Sequence, residues 1–255
     1  MGKRRLAELH HQKDGTVEYK FHSSRFGGCI HGMVLALLGQ DHPEPDEELK
    51  EIFRRGHEAE AEIKKTLRNN EARMTHDSDD LRFQLAAKYE SEVNGKKFWI
   101  SCHPDGILNQ EVPFSRVPWK EAGYQLLDNS FWKYTGDTQI YVFEHKNLGF
   151  YNHKKFCESG IEDMPNYKWQ VSIQSHAVKE YFGLDYLPKI FFSAELKHKY
   201  GSKRVCRIYD TPPYSEEDIR ARAGQIIEYF EQQEVPECSN ERYCEFKNLQ
   251  IRDKD

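Results

Sequence analysis

The chain has 255 residues, and its 37 Lys and Arg stand against 42 Asp and Glu, a formal charge of −5. Hydrophobic residues make up 38%, and 15 Phe, 14 Tyr and 4 Trp supply bulk for a core, which argues against disorder. The negative total also argues against a surface coated in phosphate-binding charge.

The N-terminus, Met1-Gly2-Lys3-Arg4-Arg5, is basic but leads into polar sequence, so no signal peptide is expected. Ser23-Ser24 offers a helix N-cap before a helix from about Arg25 to Leu38, ending at Gly39. The longest apolar run, near Met33 to Leu38, is far short of the roughly 20 residues that cross a membrane. After the turn Asp41-His42-Pro43-Glu44-Pro45, a long helix is expected from about Asp46 to Arg68. It is acidic at its start and basic at its end, as the helix dipole prefers.

The period then changes. Leu85 to Val93 and Lys97 to Cys102 read as strands joined by Asn94-Gly95, a strong hairpin signal. A short strand follows at Ile107-Leu108. The stretch at about 110–138, rich in Pro, aromatics and charge, reads as an insertion. Gln139 to Phe143 is the clearest buried strand. A helix over about Asn166 to Tyr181, strands over Lys189 to Leu196 and Arg204 to Tyr209, and an amphipathic helix over about Glu216 to Glu231 complete the order. This order predicts a single α/β domain across residues 1–255, a sheet flanked by helices, with a C-terminal helical, Cys-containing tail at about 214–255.

Two short motifs carry chemistry. His103-Pro104-Asp105-Gly106 puts a carboxylate at a turn just after a strand. Glu144-His145-Lys146 ends the buried strand, and residues two apart share a face, so Glu144 and Lys146 project together with His145 opposite. Alone, each motif reads as an ordinary turn or a solvated strand end. Together, on neighbouring strands, two carboxylates offer the oxygens that a hard divalent cation prefers. The lysine beside them can orient a water or neutralise charge on a phosphate.

Asp105 with Glu144-His145-Lys146 resembles the PD-(D/E)xK nuclease signature, and the surroundings resemble its RecB-like and phage-type exonuclease branch, related to the CRISPR adaptation nucleases. Ser24, Arg25 and Cys29 match the opening segment of that branch. Arg55-Gly56-His57-Glu58-Ala59-Glu60 matches its long helix, in which a residue four after Gly reaches the metal. Here that residue is Glu60, with His57 a second candidate on the same face. Gln170 matches the helical Gln-x-x-x-Tyr motif, with Gln174 where the family usually has Tyr. The resemblance spans roughly residues 23–183. It departs from the usual short connection in that Asp105 and Glu144 are separated by the 110–138 insertion.

The resemblance implies a restriction-endonuclease-like core, with a central mixed β-sheet flanked by helices. It implies hydrolysis of DNA phosphodiester bonds with Mg²⁺ or Mn²⁺, held by Asp105, Glu144, Glu60 or His57, and the His145 carbonyl. Lys146 would orient or activate water, and Gln170 would steady Lys146 or the scissile phosphate. An exonuclease in recombination, repair or phage DNA metabolism is the first expectation. An endonuclease of the same fold and a catalytically silent DNA-binding module are the alternatives. Linear duplex ends or single strands would be the substrate, and a recombination or single-strand-binding protein a partner. The setting would be the cytoplasm of a bacterium or phage-infected host.

Many relatives also hold an iron–sulfur cluster on one early and three late cysteines. Cys29, Cys238 and Cys244 match three of those positions, but Val235 stands at the fourth. Free cysteines are therefore expected in place of a cluster, and Cys102, Cys157 and Cys206 read as core or loop positions. The basic runs Lys197 to Arg207 and His145 to Lys155, which contain no acids, make a basic channel compatible with the negative total. Trp119, Phe131, Trp132, Tyr134, Phe150 and Tyr151 are candidates for stacking on unpaired bases.

Overall fold

The computed structural model describes residues 6–40, 47–69, 74–77, 85–110, 124–126, 139–198 and 201–238. The N-terminal segment, expected only to be polar, forms a hairpin of β1 (Ala7–His11) and β2 (Val17–His22). Its turn is made by Gly15 at φ +87° and by Asp14, whose carboxylate accepts from the Thr16 amide and hydroxyl. The signal was present in the sequence: Tyr19 and Phe21 alternate with Glu18, Lys20 and His22, and the alternating pair is buried.

The single helix expected from Arg25 to Leu38 is two helices, α1 (Ser23–Phe26) and α2 (Ile30–Leu37). Ser23 and Ser24 lie inside α1, whose N-cap is His22. The break has a physical cause. The Phe26 and Gly28 carbonyls are taken by Arg222, whose Nε and Nη2 donate to them at 2.7 and 2.5 Å. Met33 to Leu37 are buried, so α2 is a core helix.

The long helix α3 (Glu47–Asn69) runs as expected and is followed by a short strand β3 (Met74–Asp77) that the sequence did not announce. Strands β4 (Ala87–Val93) and β5 (Lys96–Cys102) form the predicted hairpin. Its turn residues Asn94 and Gly95 sit at φ +51° and +74°, the left-handed pair that a two-residue turn requires. Strand β6 (Gly106–Gln110) follows. Within the expected insertion, β7 (Tyr124–Leu126) is a strand paired in parallel with a later one; the rest of 111–138 lies outside the described residues.

Strand β8 (Gln139–Asn147) leads into α4 (Phe150–Ser159), a helix not expected from the sequence. No side chain caps its start, which removes the usual helix-start signal. Phe156 anchors it against Phe192, with ring centroids 5.2 Å apart. Then come α5 (Pro165–Phe182), β9 (Lys189–His198), β10 (Gly201–Tyr209) and α6 (Glu216–Glu231). Helix α6 starts where expected because Ser215 and Asp218 form a capping box.

The chain is α/β, with two mixed sheets in place of one central sheet. The first has the order β1-β2-β5-β4 and the second β3-β6-β8-β9-β10-β7. Helix α5 touches β4 and β5 of the first sheet and β8 and β9 of the second. Every residue from Trp169 to Val178 is buried as a result. Its polar side chains have partners: Ser172 accepts from the Tyr214 amide, and Ser175 donates to the Pro188 carbonyl. No helix among the described residues is long and apolar enough to cross a membrane.

Candidate active site

The connection between Asp105 and Glu144 does not separate them. Strands β6 and β8 are antiparallel neighbours with Gly106 opposite Phe143, so continuing that register sets Asp105 opposite Glu144. The Asp105 carboxylate also accepts from the His145 amide at 2.8 Å. A side chain of one strand end thus closes on the backbone of the other.

Glu144 is fully buried. Its Oε1 accepts from Gln170 Nε2 at 2.7 Å and from Lys146 Nζ, and its Oε2 accepts from Gln174 Nε2 at 2.8 Å. Gln170 and Gln174 are one turn apart on α5, so the helix offers both amides to one carboxylate. The structure therefore brings together Asp105, Glu144, Lys146 and Gln170, with Gln170 on Glu144 where Lys146 or the phosphate was expected as its partner. Gln174, which departs from the family residue, holds the second oxygen of Glu144.

Helix α3 supplies Glu60, which is 12% exposed and pairs with the buried Lys64 one turn on. His57, the second candidate, is 79% exposed and lies 3.9 Å from the Glu60 carboxylate, on its outer side. Lys64 was not singled out from the sequence, although its i, i+4 spacing from Glu60 was a usable signal. Arg204 of β10 reaches Glu62 at 2.5 Å and so ties α3 to the second sheet. His145 turns to the other face of β8, where its Nδ1 meets Ser193 Oγ at 3.2 Å and its Nε2 stands 3.9 Å from buried Glu195.

Electrostatics follow from this crowding. Burial, then the charge of Glu144 and, further down, that of Glu60, push the Asp105 carboxyl well above its ordinary value, against the pull of Lys146. Burial works to lower the Lys146 ammonium. The charges of Glu144 and Asp105 outweigh it and hold Lys146 above its usual range, so it is a cation at neutral pH. Lys146 keeps 24% of its side-chain surface exposed, and the Tyr167 ring lies 5.9 Å from its Nζ. A cation at the edge of a carboxylate cluster can bind an anion or polarise a water there.

Among the described residues no group of three or more His, Cys, Asp or Glu side chains stands at metal-ligating spacing. In this arrangement Glu144 directs both oxygens to Lys146 and the two glutamines. The donor set of Asp105, Glu144 and Glu60 is nonetheless all oxygen, and its mutual repulsion at Asp105 is what a hard divalent cation relieves.

Of the cysteines matched to a cluster, Cys29 and Cys238 have sulfurs 3.6 Å apart and are half-buried, while Cys244 lies outside the described residues. Val235 packs beside them against Leu35. Cys102 and Cys206 are buried, and Cys157 is half-buried on α4. Trp119, Phe131, Trp132 and Tyr134 also lie outside the described residues.

No family model and no curated protein matches the chain. Among solved structures, one described as the crystal structure of SSO0001 is similar to it at 15% identity. The TM-score is 0.48, over 91% of this chain and 86% of that one.

Proposed function

We propose that this chain is a divalent-metal-dependent deoxyribonuclease built on a restriction-endonuclease-like core, and that it acts as an exonuclease. One observation carries the reading: a buried carboxylate, Glu144, is held by Lys146, Gln170 and Gln174 directly beside Asp105. A pure binding module has no need for two carboxylates and a lysine at one point. Mg²⁺ or Mn²⁺ would be held by Asp105 and Glu144 with Glu60 and the His145 carbonyl, and when bound would supply charge neutralisation at the phosphate.

The chain's own residues do the remaining work. Gln170 and Gln174 fix the Glu144 carboxylate against rotation. The Asp105–His145 hydrogen bond locks the two strand ends in register. Lys146, kept cationic by its neighbours, orients the attacking water toward phosphorus and offsets the charge that builds on the phosphate oxygens. The basic run His145 to Lys155 beside the site accounts for how a chain of charge −5 would hold a polyanion: binding is concentrated in one groove and falls steeply with salt. Recombination, repair or phage DNA metabolism in a bacterial or phage-infected cytoplasm is the proposed setting.

End-labelled linear DNA and closed circular DNA, incubated with Mg²⁺ or Mn²⁺, test the reading. Release of label from linear DNA with circles left intact is the expected result. Cutting of circles would replace the exonuclease with an endonuclease of the same fold, and no cutting of either with intact binding would leave a DNA-binding module.

The metal assignment has its own readout, independent of activity. Mg²⁺ is expected to raise the Tm of the wild type, since a ligand that binds only the folded state stabilises it. Asp105→Asn removes one of the crowded charges. It is expected to melt higher than the wild type without metal and to lose the Mg²⁺ response. A variant that responds to Mg²⁺ as the wild type does would remove Asp105 from the ligand set.

A further inference from the structure

Helix α4 opens on two adjacent aromatics, Phe150 and Tyr151, which are 73% and 68% exposed and rank among the most exposed large apolar side chains of the described residues. The buried residues of that helix are instead His153 and Phe156. Consecutive helical residues point about 100° apart, so the two rings present separate faces to solvent and do not cover one another.

Their surroundings are cationic. Lys155 lies over the Tyr151 ring at 5.1 Å from its centroid, and Lys154 is 63% exposed. The run from His145 to Lys155 holds three lysines and no acid; its two histidines are buried, and Glu158 lies 3.9 Å from Lys154. Phe150 is four residues beyond Lys146, so at most about 14 Å of extended chain separates them.

Exposed π-faces among lysines and beside a phosphate-handling site match one ligand chemistry: an unpaired base on a phosphate backbone. An apolar protein partner would match the rings but not the charge. A closed duplex would match the charge but not the rings, since its bases already stack on one another. We infer that Phe150 and Tyr151 form a stacking platform for unpaired nucleotides next to the site, so that the substrate class is single-stranded DNA or a frayed end. This inference rests on the nuclease reading above.

The test uses the full chain in EDTA, so that nothing is cut, with two fluorescein-labelled probes: an oligothymidylate and a blunt duplex, each about 20 nucleotides long. Base–aromatic stacking is strong enough that the double variant Phe150→Ala, Tyr151→Ala is expected to weaken single-strand binding by about tenfold or more. Duplex affinity should stay within about twofold of the wild type. Phe150→Tyr with Tyr151→Phe, which keeps both rings, should restore the single-strand affinity. Lys154→Gln with Lys155→Gln should weaken both probes and flatten the salt dependence.

Equal single-strand affinity of the alanine variant and the wild type would overturn the platform, as would an equal loss on both probes. A loss of self-association with unchanged DNA affinity would overturn it too, by assigning the rings to a second copy of the chain. The nuclease reading fails separately. A wild type that ignores both probes in EDTA and cuts neither with Mg²⁺ removes the nucleic-acid reading altogether, whereas duplex binding and cleavage without single-strand binding removes the platform alone.

Discussion

Lys146→Ala is expected to reduce hydrolysis of end-labelled linear DNA by about 10²–10³-fold, the cost of removing one preorganised charge aimed at a transition state. The reasoning starts from the fold. Strand alternation puts Lys146 on the same face as Glu144, and its ammonium meets the Glu144 carboxylate. Asp105 stands opposite, just before β6, and the two carboxylates keep the ammonium charged despite burial. Glu144 and Asp105 hold Lys146 cationic in the metal-free site, and orientation and charge are the roles assigned to it. The loss should therefore appear in kcat more than in KM, and it should be similar across neutral to mildly alkaline pH. Wild type and variant equally inert under metal would end the catalytic assignment. A variant as active as the wild type would remove Lys146 from it.

Gly27→Ala is expected to destabilise the fold by about 1–3 kcal/mol, the range for forcing an extra carbon into a packed region. This corresponds to a fall in Tm of roughly 2–12 °C for a chain of this size. A Cβ at Gly27 would lie 2.7 Å from the Asn166 Cα and 2.9 Å from the Trp169 Cβ. Both belong to the α5 framework, and a Cα cannot rotate out of the way. Trp169 is itself fixed, stacked on Tyr214 at 3.8 Å between ring centroids and covered by the Arg222 guanidinium. Because α5 carries Gln170 and Gln174, a shift of that helix also loosens the grip on Glu144, so activity should fall with stability. Gly56 provides the contrast: a Cβ there meets nothing within 4 Å. Gly56→Ala, in the middle of α3, is expected to stabilise by up to about 1 kcal/mol through helix propensity. A neutral Gly27→Ala would show that α1 and α5 yield to each other, contrary to the close approach described.

Several elements were legible because their causes are local. The α6 start is written in Ser215 and Asp218, which satisfy each other's backbone amides. The β4–β5 turn is written in Asn94-Gly95, which tolerate positive φ. Strand β8 shows as an apolar run, and the face shared by Glu144 and Lys146 follows from a period of two. The pairing of Asp105 with Glu144 was legible only through the two motifs together, since the chain between them is long and irregular.

What went unread had non-local causes. The expected α1–α2 continuity fails because Arg222, nearly two hundred residues later, captures the carbonyls at the break. Helix α4 has no side-chain cap and a polar composition, and buried His153 and Phe156, the latter against Phe192, hold it. Lys64 and the Arg204–Glu62 tie depend on where α3 comes to rest against the second sheet.

The sequence by itself determined the α/β character, most of the helices and strands after the first forty residues, and the candidate set Asp105, Glu144, Lys146 and Gln170. Backbone propensity, turn chemistry and side-chain period act over a few residues and need no partner. Only the tertiary structure decided that the strands divide into two sheets and that α5 touches both. Gln174 joins Gln170 on Glu144 for the same reason. A helix with polar residues on several faces would ordinarily be solvated. Here Gln170, Ser172, Gln174, Ser175 and His176 each make at least one hydrogen bond to a neighbouring element, which offsets the cost of burial.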